Sequence, residues 1–226
     1  MEIFIKRCVL YLANFLAILI ILPLHEFAHA FAAVKCGDDT PKLAGRYTLN
    51  PFAHFDPIGL VMMILIRFGW AKPVPVNPDN FRNRKSGCIW VSIAGVLVNL
   101  TFAIVICPLC IYSYKLFYIQ SDWARYLILL IQYFIASLFW INVSLFVFNM
   151  LPIYPLDGFR LLESLTGGRG KFFNFVRRYG FYILLGIFVL GYIADWANIP
   201  YLDVIGYLSQ KLGNGIILLW QSILKI

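Results

Sequence analysis

Charged residues are scarce in this sequence. Only 13% of its 226 residues are charged and 61% are hydrophobic, whereas a soluble domain usually carries about a quarter charged residues. This shortage excludes an ordinary soluble domain and predicts an integral membrane protein. The five cysteines lie in or beside apolar segments, so we expect buried hydrophobic residues rather than a disulfide framework.

Two other signals are missing. No small-residue cleavage site follows the apolar run near the N-terminus, so no cleavable signal peptide is predicted. The net charge is +8, but no basic stripe with interleaved aromatic residues accompanies it, so nucleic acid is not an expected partner. We expect the lysines and arginines to set membrane topology instead.

Apolar runs long enough to cross a bilayer, which takes about 20 residues, recur along the chain. We predict spans at about 4–34, 88–114, 126–151 and 179–196. A last apolar stretch, 204–226, is interrupted by Ser-Gln-Lys-Leu-Gly-Asn-Gly and either crosses the membrane or lies at its surface. The predicted fold is an all-α polytopic membrane protein with about 4–6 transmembrane helices.

A different kind of segment follows the first span. Residues 44–49 and 70–76 contain β-branched and aromatic residues bounded by Gly, Asn and Pro, which is typical of short strands. Between them, 58–70 is apolar but too short to cross comfortably, which favours a re-entrant or interfacial segment. We therefore expect a small membrane-associated β-sheet around a re-entrant insertion, with Pro73 and Pro75 on an edge strand.

Lysine and arginine are unevenly distributed between the spans. Residues 35–86 carry eight of them and 160–178 carry five, but 114–125 carry only two. The positive-inside rule places the first two segments in the cytosol. The first and third spans then end on the same side of the membrane, so we expect residues 25–29 and 155–158 to lie at a similar depth.

Three polar residues lie near the C-terminal end of the first span: His25, Glu26 and His29. On a helix, positions i and i+4 share one face, so both imidazoles can bind one zinc ion with Glu26 beside them as general base. This His-Glu-x-x-His pattern is typical of zinc metalloproteases. The alternative is a pair of hydrogen-bonded histidines at the membrane interface, but ionisable groups in spans are costly and usually functional.

A catalytic zinc site also needs a third protein ligand and an open coordination position. Asp157 is the candidate, because it follows the break that Pro152 and Pro155 make at the end of the third span. Its depth matches the depth that the charge distribution indicates. The alternative for Asp157 is an N-cap of the helix that starts beside it.

Four stretches together resemble the site-2 protease family of intramembrane zinc metalloproteases. The resemblance covers residues 20–165 in the family's order and rests on HEFAHA, LNPFAHFDPIG, GWAKPVPVNP and NMLPIYPLDG. It implies a protease acting in regulated intramembrane proteolysis. It also implies that His25, His29 and Asp157 bind one zinc ion and that Glu26 is the catalytic base.

The same resemblance implies three supporting residues. Asn149, eight residues before Asp157, is expected near the site, where it can hold the substrate backbone. His54 is expected either beside the site or as an ordinary turn histidine. The family often has Gly-Pro-x-x-Asn in its middle core span, where this chain reads GVLVN from Gly95 to Asn99 without the proline; Asn99 is expected to point at the site.

The resemblance further implies a compact member, a single membrane-embedded protease domain over 1–226. Its core is 1–165 with the β insertion at 40–80, and 175–226 form accessory C-terminal helices. We expect neither a PDZ domain nor a cystathionine-synthase-type (CBS) pair. The implied partners are single-span membrane proteins as substrates, membrane lipid and a regulatory partner protein. The implied location is the cell (plasma) membrane, with the active site near the cytosolic side.

Two alternatives come from other functional classes. A metal-ion transporter would distribute its ligands along a pathway on several spans, whereas these residues cluster at one depth. A catalytically inactive membrane-protein binder would normally have lost Glu26 or one of the ligands, and all four residues are present.

Overall fold

The computed structural model describes residues 1–66, 71–116 and 122–225. Helices dominate this part of the chain, which confirms the all-α class. Two short 3-10 turns precede the fifth and the last helix. The α-helices of the described residues are α1 (Glu2–Cys36), α2 (Thr40–Leu43), α3 (Pro51–His54), α4 (Pro57–Ile66), α5 (Arg84–Leu116), α6 (Asp122–Asn149), α7 (Asp157–Thr166), α8 (Lys171–Ala197) and α9 (Val204–Leu224).

Among the described helices, α1, α5, α6 and α8 are long and apolar enough to cross a membrane. They coincide with the four predicted spans, and their number is the lower end of the expected range. The last helix, α9, has 21 residues, or about 30 Å at 1.5 Å per residue, but it is not one of these four. It runs unbroken through residues 209–215, which interrupt the apolar stretch in the sequence.

Close packing on α6 explains why α9 continues through its glycines. A Cβ atom on Gly213 would overlap the Trp140 ring, so glycine lets the two helices touch. Ile216 is buried in the cluster that joins α5, α6 and α9, and the Trp220 Nε1–H donates to the Ile104 carbonyl at 2.8 Å. These tertiary contacts offset the weak helix propensity of the glycines.

The helices α1, α5 and α6 form the body of the protein. Ala17 and Ile21 of α1 are buried together with Leu138 of α6, and small residues allow such membrane helices to approach closely. All five cysteines are free, which agrees with the absence of a disulfide framework. Cys107 and Cys110 are buried in α5 as expected, but Cys36 and Cys88 are only partly buried and Cys8 is exposed.

The predicted β-sheet is not found in the described part of the chain. A single antiparallel bridge pairs Phe55 with Ala71, and the Lys72 N–H donates to the His54 carbonyl at 2.8 Å. The ladder goes no further because the partner segment before Phe55 is helical over Pro51–His54. Residues 44–49 form a turn and bends instead of a strand.

The apolar segment between the expected strands forms α4 over Pro57–Ile66. Its ten residues extend about 15 Å, half the roughly 30 Å of a bilayer's hydrocarbon core. The described part of this helix is therefore too short to cross. The rest of this segment and the first residue of the expected second strand fall on 67–70, outside the described residues.

A buried carboxylate joins the end of α1 to the chain that precedes α5. Gly37 ends α1 in the left-handed conformation, with φ 111°, and Asp38 follows it with no exposed surface. The Asp38 oxygens accept hydrogen bonds from the Asn77 N–H at 2.7 Å, the Asn80 amide at 2.8 Å and the Thr40 N–H at 3.0 Å. These bonds hold residues 77–80 beside α1.

The hydrogen bonds to Asp38 change the pKa of its carboxyl more than its burial does. Burial raises the pKa of the Asp38 carboxyl, but the donors on Thr40, Asn80 and Asn77 lower this pKa by more, so it lies below its usual value. A carboxyl whose pKa is lowered in the folded state stabilises the fold above its unfolded pKa. That contribution is lost as the pH falls through the folded pKa.

Replacing Asp38 by Asn should destabilise the protein by about 2 kcal/mol at neutral pH, because one amide oxygen cannot satisfy the same buried donors. Thermal unfolding of the purified protein in detergent measures this. The matched control is Asp39→Asn, since Asp39 is exposed and pairs with the exposed Lys42, a pair worth about 0.5 kcal/mol.

The difference between wild type and Asp38→Asn should shrink as the pH falls below about 3.9, the unfolded pKa of an aspartate. Equal unfolding temperatures for Asp38→Asn and Asp39→Asn at neutral pH would contradict this account of the Asp38 contacts.

Candidate metal centre

His25 and His29 face the same way from α1. They lie one turn apart on an unbroken helix, and only 5% and 8% of their surface is exposed. Their Nε2 atoms are 3.1 Å apart. The four-residue spacing thus puts both imidazoles on one helix face, as the sequence pattern predicts.

Asp157 reaches this pair from a distant part of the chain. Helix α6 ends at Asn149, the chain turns, and α7 begins at Asp157. The Asp157 Oδ2 atom is 3.4 Å from His25 Nε2 and 3.2 Å from His29 Nε2. The N-cap of α7 is Leu156, and no side chain caps this helix, so the structure does not support the capping alternative for Asp157.

The glycine that follows Asp157 makes this approach possible. A Cβ atom on Gly158 would overlap the Met150 carbonyl group, and a backbone carbonyl cannot move aside as a flexible side chain can. Glycine therefore lets the first turn of α7 pack directly on the chain that leaves α6. This contact explains why a glycine follows Asp157 in the sequence.

The three side chains fit a zinc ion. Each offers one ligand atom, and these atoms lie within 4.8 Å of one another. Asp157 Oδ2 is buried and has no hydrogen-bond partner among the described residues, and such a carboxylate oxygen is costly unless a cation or a proton satisfies it. Two imidazoles and one carboxylate are also a ligand set of catalytic zinc sites.

The two histidines affect the pKa of the Asp157 carboxyl. Burial raises the pKa of the Asp157 carboxyl, but the neighbouring His29 and His25 lower this pKa by more, so it lies below its usual range. The carboxylate, which is the form that binds a metal, is therefore favoured.

Helix α5 lies against the other side of the imidazoles. His29 Nδ1 is 2.7 Å from the Val91 carbonyl; when Nδ1–H donates to this oxygen, Nε2 keeps a lone pair for a metal. Asn99, which has no exposed surface, has its amide nitrogen 3.1 Å from His25 Nδ1. The structure thus brings Asn99 to the centre.

Gly95 lies between these two contacts on α5. A Cβ atom on Gly95 would overlap His29 Nε2 and would lie 2.6 Å from His25 Cε1. The two rings therefore occupy the space that a side chain would fill. Neither this role of Gly95 nor that of Val91 was predicted, although the spacing of 91, 95 and 99 indicates one face of a helix.

A cavity of about 150 Å³ adjoins the three candidate ligands. Glu26 lines it from α1 and Asn149 lines it from the end of α6. Arg160, one turn after Asp157 on α7, also lines it and was not predicted. Another part of the wall is the segment before α5, through Pro73, Val74 and Val76.

His54 is not among the residues that line this cavity. It is fully buried, and its Nε2 is 2.8 Å from the Thr48 carbonyl. Its own carbonyl accepts the Lys72 N–H. These contacts favour the interpretation of His54 as a turn histidine.

A His-Glu-x-x-His helix whose histidines meet an aspartate among helices of membrane length defines a class of protein, the membrane-bound metalloproteases. Comparison with known proteins gives the same class. The model of peptidase family M50 matches residues 13–191, and the chain belongs to this family.

Individual relatives carry consistent names. The chain is 40% identical over 187 residues to "Putative zinc metalloprotease YwhC" of Bacillus subtilis, which covers 80% of this chain and 83% of that protein. It is 29% identical over 185 residues to "Putative zinc metalloprotease Rip2" of Mycolicibacterium smegmatis, with 77% and 66% covered. These names support zinc as the cofactor. No solved structure matches the chain significantly.

Replacing Gly95 by Ala should displace both imidazoles and weaken zinc binding by roughly tenfold or more. Chelator competition and zinc quantification on purified protein measure this. The control is Gly186→Ala in α8, where an added Cβ meets nothing within 4 Å and zinc binding should not change. A folded Gly95→Ala protein with wild-type zinc affinity would contradict the proposed packing of α5 on the centre.

Proposed function

We propose that this protein is an intramembrane zinc metalloprotease of the site-2 type. It cleaves peptide bonds in or near transmembrane segments of membrane-tethered regulatory proteins. The observation that carries the proposal is the approach of the Asp157 carboxylate to His25 and His29 within a body of membrane-length helices. One zinc ion per chain is held by these three residues.

When bound, zinc supplies a Lewis acid that polarises a carbonyl group and makes water more acidic. Glu26 follows the first ligand in the sequence and lines the same cavity. Its carboxylate can take a proton from the attacking water and pass it to the leaving amine, so one base serves both halves of the hydrolysis. His25, His29 and Asp157 would hold the zinc ion beside the cavity that Glu26 lines.

The substrate must unwind before it is cut, because a transmembrane helix has its peptide groups in hydrogen bonds. Residues 72–77 are the proposed partner of the unwound chain. Residues that precede proline are held extended, and among the described residues the Val74 and Val76 N–H groups have no hydrogen-bond partner. Two residues apart in an extended chain, they lie on one side and can pair with a substrate strand.

Asn149 is a second proposed contact to the substrate backbone. Its side chain lines the cavity, and its Nδ2 donates to the Leu145 carbonyl within α6 at 3.1 Å. An amide carries a carbonyl oxygen and a second N–H besides. These groups match the donor and acceptor of one peptide unit.

The proposed location is the cell (plasma) membrane, with the metal centre near the cytosolic side. The lysines and arginines that follow α1 and α6 support this orientation. The substrates are single-span membrane proteins that another protease has already trimmed. A regulatory partner protein and membrane lipid then control their access.

Replacing Glu26 by Gln should slow the cleavage of a single-span substrate by roughly 10²–10⁴-fold. Zinc content should not change, since glutamine keeps the shape of the side chain but cannot accept the proton. Cleavage in detergent and zinc quantification on the same preparation test this. Asp157→Ala is the matched comparison, because it should lose both zinc and cleavage.

Cleavage by Glu26→Gln at the wild-type rate would exclude Glu26 as the base. Wild-type cleavage that survives complete removal of zinc by a chelator would exclude the metalloprotease mechanism as a whole.

Replacing Val76 by Pro should lower kcat/KM by about tenfold, the equivalent of one lost hydrogen bond of about 1.4 kcal/mol. The change removes a single N–H from the wall of the cavity and should leave zinc content unaltered. Val76→Thr keeps the N–H with a similar shape and should cleave nearly as wild type does. Equal kcat/KM for the two variants would show that this segment does not pair with the substrate.

A further inference from the structure

Three positions on α5 meet the two histidines. Val91, Gly95 and Asn99 lie four residues apart, so they share one helix face. The Val91 carbonyl is 2.7 Å from His29 Nδ1, and the Asn99 amide is 3.1 Å from His25 Nδ1. Each imidazole therefore has its Nδ1 against α5, while its Nε2 lies near Asp157.

The position of the proton on His25 follows from which of its ring nitrogens faces the metal centre. Its Nε2 is 3.4 Å from Asp157 Oδ2, and a neutral imidazole that binds a metal through Nε2 carries its proton on Nδ1. This Nδ1–H needs an acceptor, which metal-binding histidines generally have. The side chain of Asn99 is the neighbour within hydrogen-bond distance.

Asn99 has such an acceptor available. Its Oδ1 atom is buried without a hydrogen-bond partner in the described part of the chain, and its NH2 group cannot accept from His25 Nδ1–H. A half-turn of the amide about its last bond exchanges oxygen and nitrogen. Oδ1 then accepts a hydrogen bond from His25 Nδ1–H. This bond pairs the buried His25 donor with the buried Asn99 acceptor.

We propose that Asn99 is a positioning residue for the metal centre, an inference that rests on the proposed zinc protease function. Its Oδ1 accepts a hydrogen bond from His25 Nδ1–H and holds Nε2 toward the metal, as the Val91 carbonyl does for His29. Asn99 has no exposed surface, so bulk water does not replace it. Without this contact, His25 can rotate or take the other tautomer.

Two substitutions separate this role from a merely structural one. Asn99→Leu has a similar size but no acceptor, whereas Asn99→Asp keeps an acceptor oxygen and loses the NH2 group. If Asn99 only fills space, a buried carboxylate should be the worse replacement. If Asn99 accepts a hydrogen bond from His25 Nδ1–H, the Asn99→Asp variant keeps this contact, since carboxylate–histidine–zinc arrangements are common.

The experiment measures the zinc affinity of full-length purified protein in detergent by chelator competition, and the visible spectrum of its cobalt-substituted form. Asn99→Leu should weaken zinc binding 10–100-fold and alter the cobalt spectrum, whereas Asn99→Asp should stay within a few-fold of wild type. Asn142→Leu is the control, because Asn142 is equally buried but donates to Leu138 of its own helix. Its zinc affinity should not change.

Wild-type zinc affinity in Asn99→Leu would overturn the inference, and so would an Asn99→Asp protein as weak as Asn99→Leu. Should Asn99→Leu fail to fold, Asn99→Ala removes the same acceptor without the added bulk and takes its place. In either case tight zinc binding by wild type would leave the proposed function standing. Wild type that binds no zinc would remove both the function and this inference.

Discussion

The buried carboxylate oxygen of Asp157, beside two imidazole nitrogens, is the arrangement on which the site depends. Such a group is costly in an apolar interior unless charge or hydrogen bonds compensate it. His25 and His29 bring their Nε2 atoms within 3.4 Å of this oxygen from one face of α1. Gly95 and Gly158 omit side chains where a ring or a carbonyl must come close. The same oxygen is the natural third ligand of a zinc ion.

Helix α1 carries more than the two histidines. Asp38, directly after its end, is buried and accepts hydrogen bonds from Asn77 and Asn80. The chain just before Asn77 forms part of the cavity wall and includes Val74 and Val76. The proposed metal ligands and the proposed substrate segment are therefore tied to one helix. The bonds from Asn77 and Asn80 to Asp38 measure 2.7 and 2.8 Å, so they hold the two parts in one relative position.

The spans and the polar motif were predictable because they depend on local patterns. Apolar runs of about 20 residues identify membrane helices, and the spacing of His25 and His29 places them on one face of α1. The expected sheet was wrong because strand propensity in 44–49 says nothing about a pairing partner. The segment opposite the second expected strand is helical over Pro51–His54. The continuity of α9 depended on Gly213 meeting Trp140, a contact between distant residues.

The sequence by itself determined the membrane class, the pair of histidines with Glu26, and the depth at which Asp157 returns to them. Helical period, span length and charge distribution are properties of short stretches, so they can be derived without knowing the fold. Only the tertiary structure decided that Val91, Gly95 and Asn99 surround the histidines. Those distances depend on how α5 packs against α1, and that packing depends on the side chains of both helices together.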